Sequence, residues 1–522
     1  MGFSPQVSVR GNSSLTLFPL FFILFTFSVF ARGGWDIWSQ TFIHLASLLL
    51  FFLWFFQLNR KSVLWVTTPL DFPLFLLLSA SFFSYLFSVS PMNSLMELFN
   101  IINYIFVFYF SVALTREGKG ELLIQLIIGT GSILALIGFL QFFQGTAVRA
   151  SLINPNILAG YLVIVVPLAV HKFLKQGRWI YLFSTLITVW SLFLTGSLTG
   201  LFALFLALGV YFHFQFRRSR LLRTFLAIGL VLFIYLFSRK LSSPEGLNRL
   251  FWWRGAWRMI KDHFLWGVGP GNFGLVYPYY KIWGIKNSLY AHNHYLQLAA
   301  EGGILVLGGF VWFLGKLFIK GKQNSKAAFC SLLALVVHNL FDYNLIIPAN
   351  ALLFWSVAGY LTGKSWSGKK LRLPLSGENR AFLAVFLFSI TLALTRIVVS
   401  PWLAQVKVLH GKEQMARGRI AEAMDNYEKA LHLFPLMNEA RASLGEAFFS
   451  LYRKRKDRGY LEEAIVRWED VFKREPLFNP DPSRYTELHL VRRRLFQLYR
   501  LKGDMGKAKE LLRRAKKARR GL

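Results

Sequence analysis

Thirteen long apolar runs leave this chain little choice of architecture. Nine lie near residues 15–31, 38–57, 69–89, 97–114, 121–143, 152–174, 178–195, 197–216 and 221–238. After a polar stretch, four more follow near 296–319, 326–343, 346–363 and 380–399. Each has roughly the 17–25 residues that cross a ~30 Å hydrocarbon core. With no water there to satisfy a backbone, each reads as a helix. The very short connections at Gly196 and at 343–345 put the count at about 12–13 spans. A chain of 522 residues that is 54% hydrophobic, with 53 phenylalanines, also exceeds the apolar content of a soluble domain. The expected fold is therefore all-α: a polytopic membrane bundle, residues 1–400, with a large external loop at 239–295. The first run follows Arg10, but no A-x-A-like cleavage site comes after it, so it reads as a span and not as a signal peptide.

A formal charge of +34 would suggest nucleic acid in a soluble chain. Here the basic residues fall in short clusters between apolar runs, which excludes that reading in favour of the positive-inside rule. Arg60 and Lys61, Arg116 and Lys119, Lys172, Lys175 and Arg178, and Arg217, Arg218, Arg220 and Arg223 occupy alternate connections. Lys316, Lys320, Lys322 and Lys326, then Lys364, Lys369, Lys370, Arg372 and Arg380, continue the series, whereas the opposite short loops hold only Arg32 and Arg149. This asymmetry places the N-terminus in the cytoplasm and both 239–295 and the C-terminal tail outside it. The single cysteine, Cys330, lies within an apolar run and provides neither a disulfide framework nor a metal site.

The tail, 401–522, has a different texture. "ARGRIAEAMDNYEKALHLFP" places Gly418, Ala423, Tyr427, Ala430 and Pro435 at the offsets of a tetratricopeptide repeat, with small residues where helices approach and aromatics filling the groove. Weaker copies run through Gly459, Ala464, Trp468 and Pro476, and through Gly503, Ala508 and Ala515. The glycines are 41 and then 44 residues apart, so helices or loops must be longer than in the standard 34-residue unit. A C-terminal α-solenoid that binds a protein partner, or lies against anionic headgroups, is expected.

Chemistry concentrates in the long loop. Arg239, Lys240, Arg249, Arg254, Arg258, Lys261, Lys281 and Lys286 face only Glu245 and Asp262, and Trp252, Trp253, Trp257, Trp266 and Trp283 lie among them. Guanidinium forks suit diphosphate oxygens, and flat aromatic faces suit sugars or the membrane interface. A phosphorylated, sugar-bearing, membrane-tethered ligand fits this mixture, as does a plain interfacial belt. "GVGPGNF", Gly267 to Phe273, lacks the Lys-Ser/Thr of a phosphate-cradling loop and reads as a structural turn. "NPNILAGYL", Asn154 to Leu162, reads as a helix start capped by Asn154 or Asn156 with Pro155 in the first turn. In "LYAHNHYLQLAAEGG", His292 stands at the mouth of a span, where an imidazole suits proton abstraction at neutral pH. His292 and His294 are two apart with only Glu301 nearby, so no metal is expected. His338 and Asp342, four apart, would share a helix face.

These segments resemble the O-antigen ligase and polymerase family, the Wzy_C superfamily of membrane glycosyltransferases. The resemblance rests on "NPNILAGYL", "NRLFWWRGAWRMIKDHFLWGVGPGNF", "AHNHYLQLAAEGG" and "HNLFDYNLIIPANALLF", in that order, and covers roughly residues 15–365. It implies transfer of a glycan from undecaprenyl diphosphate to an acceptor hydroxyl, of a lipid or a protein, on the outer face of the cytoplasmic membrane, with no cofactor and no required metal. It further implies Arg249 and Arg254 on the donor diphosphate, His292 as general base, and Arg149, Asn154, Asn156, Asn293 and Asp342 in substrate binding. Many ligases carry a Ser-Arg pair at the outer start of the eighth span; this chain reads "GSLTG", with Leu198 in the arginine's place. Arg149 or a loop arginine would then supply that charge. Ligase, polymerase and protein O-oligosaccharyltransferase share the donor and differ in the acceptor. A transporter, the reading from another class, should show inverted repeats, and no internal symmetry stands out.

Overall fold

The computed structural model describes residues 16–58, 62–216, 220–281, 287–366, 370–374, 377–475 and 490–511. Arg10, Arg60, Lys61, Arg217, Arg218, Trp283, Lys286, Lys369, Pro476 and Ala515, invoked above, lie outside them. The described chain is helical almost throughout. Nine helices fill the first half: α1 (Phe18–Phe30), α2 (Ile37–Leu58), α3 (Asp71–Leu86), α4 (Pro91–Arg116), α5 (Gly120–Phe143), α6 (Pro155–Gln176), α7 (Trp179–Leu194), α8 (Leu198–Gln215) and α9 (Arg220–Leu241). The polar stretch holds α10 (Pro244–Asp262) and α11 (Phe273–Tyr280), followed by α12 (His294–Asn324), α13 (Lys326–His338), α14 (Pro348–Ser365) and α15 (Gly377–Ala416). The tail contributes α16 (Ile420–Leu433), α17 (Asn438–Arg455), α18 (Arg458–Arg474) and α19 (Leu490–Lys502). A two-stranded antiparallel ribbon, not expected from the sequence, joins β1 (Ser62–Val66) to β2 (Lys370–Pro374), with Ser62 opposite Pro374.

A helix stands at the place of each expected span. Seven are long and apolar enough to cross a membrane, namely α4, α5, α6 and α8 together with Ile37–Phe55, His294–Gly321 and Ala381–Ala416. Five more apolar helices are shorter: α1, α3, α7, α13 and Ala227–Arg239 within α9. The count of about 12–13 spans thus meets seven helices of full spanning length. The protein is a multi-pass membrane protein. α14 is different in kind, because every residue from Pro348 to Thr362 is buried. Its glycines allow that position: a Cβ on Gly359 would lie 2.4 Å from the Phe108 carbonyl oxygen of α4, and one on Gly363 2.7 Å from Cβ of Thr115. Small residues that let backbones meet are how helices associate where lipid is as apolar as the side chains.

Helical order fails at two places beside the polar loop. Within α12, Gly303 has φ +73 and ψ −177, a conformation open only to glycine. The backbone groups released there pair with the "GVGPGNF" segment and its approach: Ile304 N donates to Phe264 O at 2.9 Å, Val268 N to Ala300 O at 3.0 Å and Gly269 N to Glu301 O at 2.9 Å. That segment is thus a turn bonded to a broken helix, as its lack of a phosphate-loop signature suggested. The second break follows α13. The helix ends at His338, not near residue 343, so His338 and Asp342 do not share a helix face. Buried asparagines take over: Asn339 Oδ1 accepts from Asn344 N at 3.0 Å, and Asn350 Nδ2 donates to Asn344 Oδ1 at 3.2 Å and to Ile157 O at 2.9 Å. Gly160 makes room for this cluster, since a Cβ there would sit 1.9 Å from Asn344 Oδ1.

In the tail, α15 packs on α16, α17 on α18, and α18 on α19. Buried Tyr427 lies against Gly411, and buried Trp468 against Gly445. Met92 and Leu95 of α4 pack against the buried cluster that contains Phe434 and Met437, seating the tail beside the start of that helix.

Gly160→Ala should lower the melting temperature in detergent, with a cost of about 1–3 kcal/mol from overpacking against Asn344. Gly129→Ala, where an added Cβ meets nothing within 4 Å, should leave it unchanged.

Candidate active site around His292

His292 occupies the turn that enters α12, with φ +50, one of four positive-φ residues other than glycine among the described residues. A β-carbon is disfavoured there, so the surroundings must hold the turn. Five hydrogen bonds do so. Asn293 caps α12, its Oδ1 accepting from Leu296 N at 3.0 Å, and its Nδ2 donates to Leu340 O at 2.9 Å. His294 N donates to Asn339 O at 2.9 Å. Ala291 N donates to the Gln297 side-chain oxygen at 2.7 Å. Trp253 Nε1 donates to the His292 carbonyl at 3.3 Å.

The imidazole is enclosed by aromatic rings. Trp252 stacks on it with centroids 4.6 Å apart, and Tyr343 meets it edge-on at 4.9 Å. Tyr290 stacks on Tyr343 at 4.2 Å, and Trp35 packs edge-on against Tyr290 at 5.9 Å. His292 Nδ1 lies 3.9 Å from Asp342 Oδ1, an ion-pair distance and not a hydrogen bond. Nδ1 is buried, so the 21% of the His292 side chain that remains exposed lies on its other atoms, and Nε2 is the ring nitrogen left to meet a substrate. An acceptor hydroxyl would therefore meet Nε2, with Asp342 behind to stabilise the imidazolium that proton abstraction creates.

Burial decides the resting protonation state of the imidazole. Burial, with a smaller effect from the nearby Arg249 charge, pushes the His292 pKa down from 6.5 to about 3. The ring is thus neutral at physiological pH. Burial likewise raises the Tyr343 hydroxyl, with Asp342 adding to the rise and Arg249 opposing it. The Arg249 charge thus lies near enough to act on both groups. On α10, Arg249, Trp252, Trp253 and Ala256 fall on one side at 3.6 residues per turn, and that side covers the His292 turn. Arg254 falls on the other side and is exposed, as are Trp257, Arg258 and Lys261. There Lys261 Nζ stands 6.0 Å over the Trp257 ring.

The asparagine motif reaches the same centre. Asn154 caps α6, accepting from Ile157 N at 3.0 Å with Pro155 next in the helix, and its Nδ2 donates to the Tyr343 hydroxyl at 3.2 Å. Asn156 is half-buried in the first turn. Arg149 is exposed and bonds Ile153 O at 3.4 Å, while Gln141 Oε1 accepts from the Arg149 and Ala150 backbone N–H groups. The structure thus brings His292, Asn293, Asp342, Arg249 and Asn154 together, and places Arg254 on the far side of α10. Tyr343 and Gln297 were not singled out from sequence, and Trp252 only as one of several loop tryptophans. The only signal for them was their presence inside the quoted motifs. Among the described residues, no group of three or more His, Cys, Asp or Glu side chains is arranged to hold a metal ion.

Known proteins provide an independent comparison. The teichuronic acid biosynthesis protein TuaE of Bacillus subtilis is 25% identical over 319 residues, covering 54% of this chain and 63% of that protein. The match thus spans less than two thirds of the relative's own length. Residues 183–311 match the Wzy_C family, described as O-antigen ligase. That stretch runs from α7 through α10 and the His292 turn into α12. Residues 183–311 of this multi-pass membrane protein are thus similar to the Wzy_C, O-antigen ligase, family, and two of the four motifs, at 248–273 and 291–303, lie within that stretch.

Proposed function

We propose that the protein transfers a glycan from undecaprenyl diphosphate to an acceptor hydroxyl at the outer face of the cytoplasmic membrane. The observation that carries this is the alignment of a neutral, partly exposed imidazole with a carboxylate behind it, under a helix face that presents Arg249. His292 Nε2 takes the acceptor proton as the hydroxyl oxygen attacks the anomeric carbon. The bond from that carbon to the diphosphate oxygen breaks, and the leaving group departs with its electron pair. Arg249 offsets the charge that develops on the diphosphate, an interaction worth most in the transition state. Exposed Arg149 would meet the diphosphate from the α6 side. Basic clusters on alternate connections support a cytoplasmic N-terminus, with the His292 turn and the tail outside. The tail's paired helices, with small residues facing Tyr427 and Trp468, support a repeat-like module that docks a protein partner.

The first test is the profile of undecaprenyl-diphosphate-linked glycans in a strain lacking the protein, by mass spectrometry of extracted lipids. Long chains accumulating on the carrier are expected of a ligase. Single repeat units would make the protein a polymerase of the same superfamily, and an unchanged profile would overturn the transferase reading. In a reconstituted assay, His292→Ala should fold and insert normally yet lose transfer by about 10²-fold or more, the usual contribution of a general base. Arg249→Lys should reduce transfer strongly because the guanidinium fork is lost. Arg254→Lys, on the exposed face, should change it far less, and equal losses would put both arginines on the donor.

A further inference from the structure

The His292 turn is held in a disfavoured conformation, and one of its supports leads away from the site. Gln297 is buried, at 1% exposure, one turn into α12. Its Oε1 accepts from the backbone N–H of Ala291, the residue immediately ahead of His292, at 2.7 Å. Its Nε2 donates to Glu301 Oε1 at 2.8 Å. An amide has one accepting and one donating end. Ala291 N–H selects the oxygen end of Gln297, and the oxygen of Glu301 takes the donating end, so both ends of the amide are matched in one orientation. Glu301 also accepts from Phe273 N at 2.9 Å, at the end of the "GVGPGNF" turn. Its own backbone carbonyl takes Gly269 N at 2.9 Å and the Ser84 hydroxyl at 3.0 Å. One residue next to the Gly303 break therefore bonds both the loop and the amide that holds the base.

We infer that Glu301 is a positioning residue for His292, acting through Gln297, and that its task is to accept hydrogen bonds and not to move a proton. The kinetic part rests on the transferase reading above. The geometric part stands on the contacts alone. A carboxylate inside a membrane protein is by default suspected of direct chemistry, and the two roles differ in what a neutral side chain does. Glu301→Gln keeps an oxygen for Phe273 N and Gln297 Nε2, so a positioning role survives it and a proton-transfer role does not. Gln297→Glu instead sets two carboxylates against each other and breaks the chain. The exchange of both, Gln297→Glu with Glu301→Gln, restores it: the glutamate accepts from Ala291 N, and the new amide donates to that glutamate while accepting from Phe273 N.

The test uses the full-length protein in detergent and in vesicles. Carbethoxylation of His292 by diethyl pyrocarbonate, read by peptide mass spectrometry, should rise about tenfold in Gln297→Glu, the scale of one lost buried hydrogen bond. It should return to the wild-type rate in the exchanged pair. In transfer assays Gln297→Glu should lower kcat by about 10²-fold with KM for the lipid-linked donor unchanged. Glu301→Gln and the exchanged pair should both stay near wild type. An exchanged pair that melts like wild type but leaves His292 reactive would overturn the proposal, as would an inactive, folded Glu301→Gln. A wild-type chain without transfer would sink the transferase reading, while the reactivity comparison still decides the positioning role.

Discussion

A membrane interior offers no water to a broken helix, so every interruption must be bonded by protein. This chain breaks helical order twice beside its polar loop, at Gly303 and after His338. Each break is repaired differently. The first recruits the backbone of residues 264–269, whose N–H and carbonyl groups pair with α12 across the interruption. The second recruits side chains, with Asn339, Asn344 and Asn350 standing in for backbone partners between α13 and α14. The candidate site lies between these two repairs. His292 begins the helix that contains the first, and Asp342 and Tyr343 sit inside the second.

That placement gives the site its rigidity. Asn293 caps α12 and also ties the His292 turn to Leu340. Asn154 does the same from the other side, capping α6 while holding the Tyr343 hydroxyl. Three helix ends are thereby locked to one another by residues that each satisfy a local cap and a distant partner. α10 closes the arrangement from above, bringing Trp252 onto the imidazole and Arg249 near it. A base held this way loses little freedom on meeting its substrate, which is how preorganised sites lower their barriers.

The tail connects to this region through the start of α4. Met92 and Leu95 pack against the buried cluster that contains Phe434 and Met437, and Asn93 Nδ2 donates to Asn272 Oδ1 at 3.2 Å while Ser94 Oγ donates to Pro270 O at 2.7 Å. The segment entering α4 thus touches the tail on one side and the glycine-rich turn on the other. The contacts are small, but they are continuous.

The sequence by itself determined the helical membrane architecture, a helix start capped by Asn154 or Asn156 and the turn at Gly267–Phe273. Each is a local consequence of apolar run length, cap chemistry or glycine content. It also marked His292, because an ionisable residue at the edge of an apolar run is conspicuous. It could not separate seven full-length apolar helices from shorter ones, since composition does not reveal where a run ends inside the fold. Nor could it separate Arg249 from Arg254 before the face of α10 was known. It paired Asp342 with His338 because four residues mean one helix face only while the helix lasts. Tertiary structure decided otherwise: α13 stops at His338, and the released chain brings Asp342 to His292, fifty residues earlier in the chain and beyond the reach of local spacing. Contacts between segments distant in the chain are set by which breaks must be bonded and by which glycines let backbones approach, and neither is written in any single window of sequence.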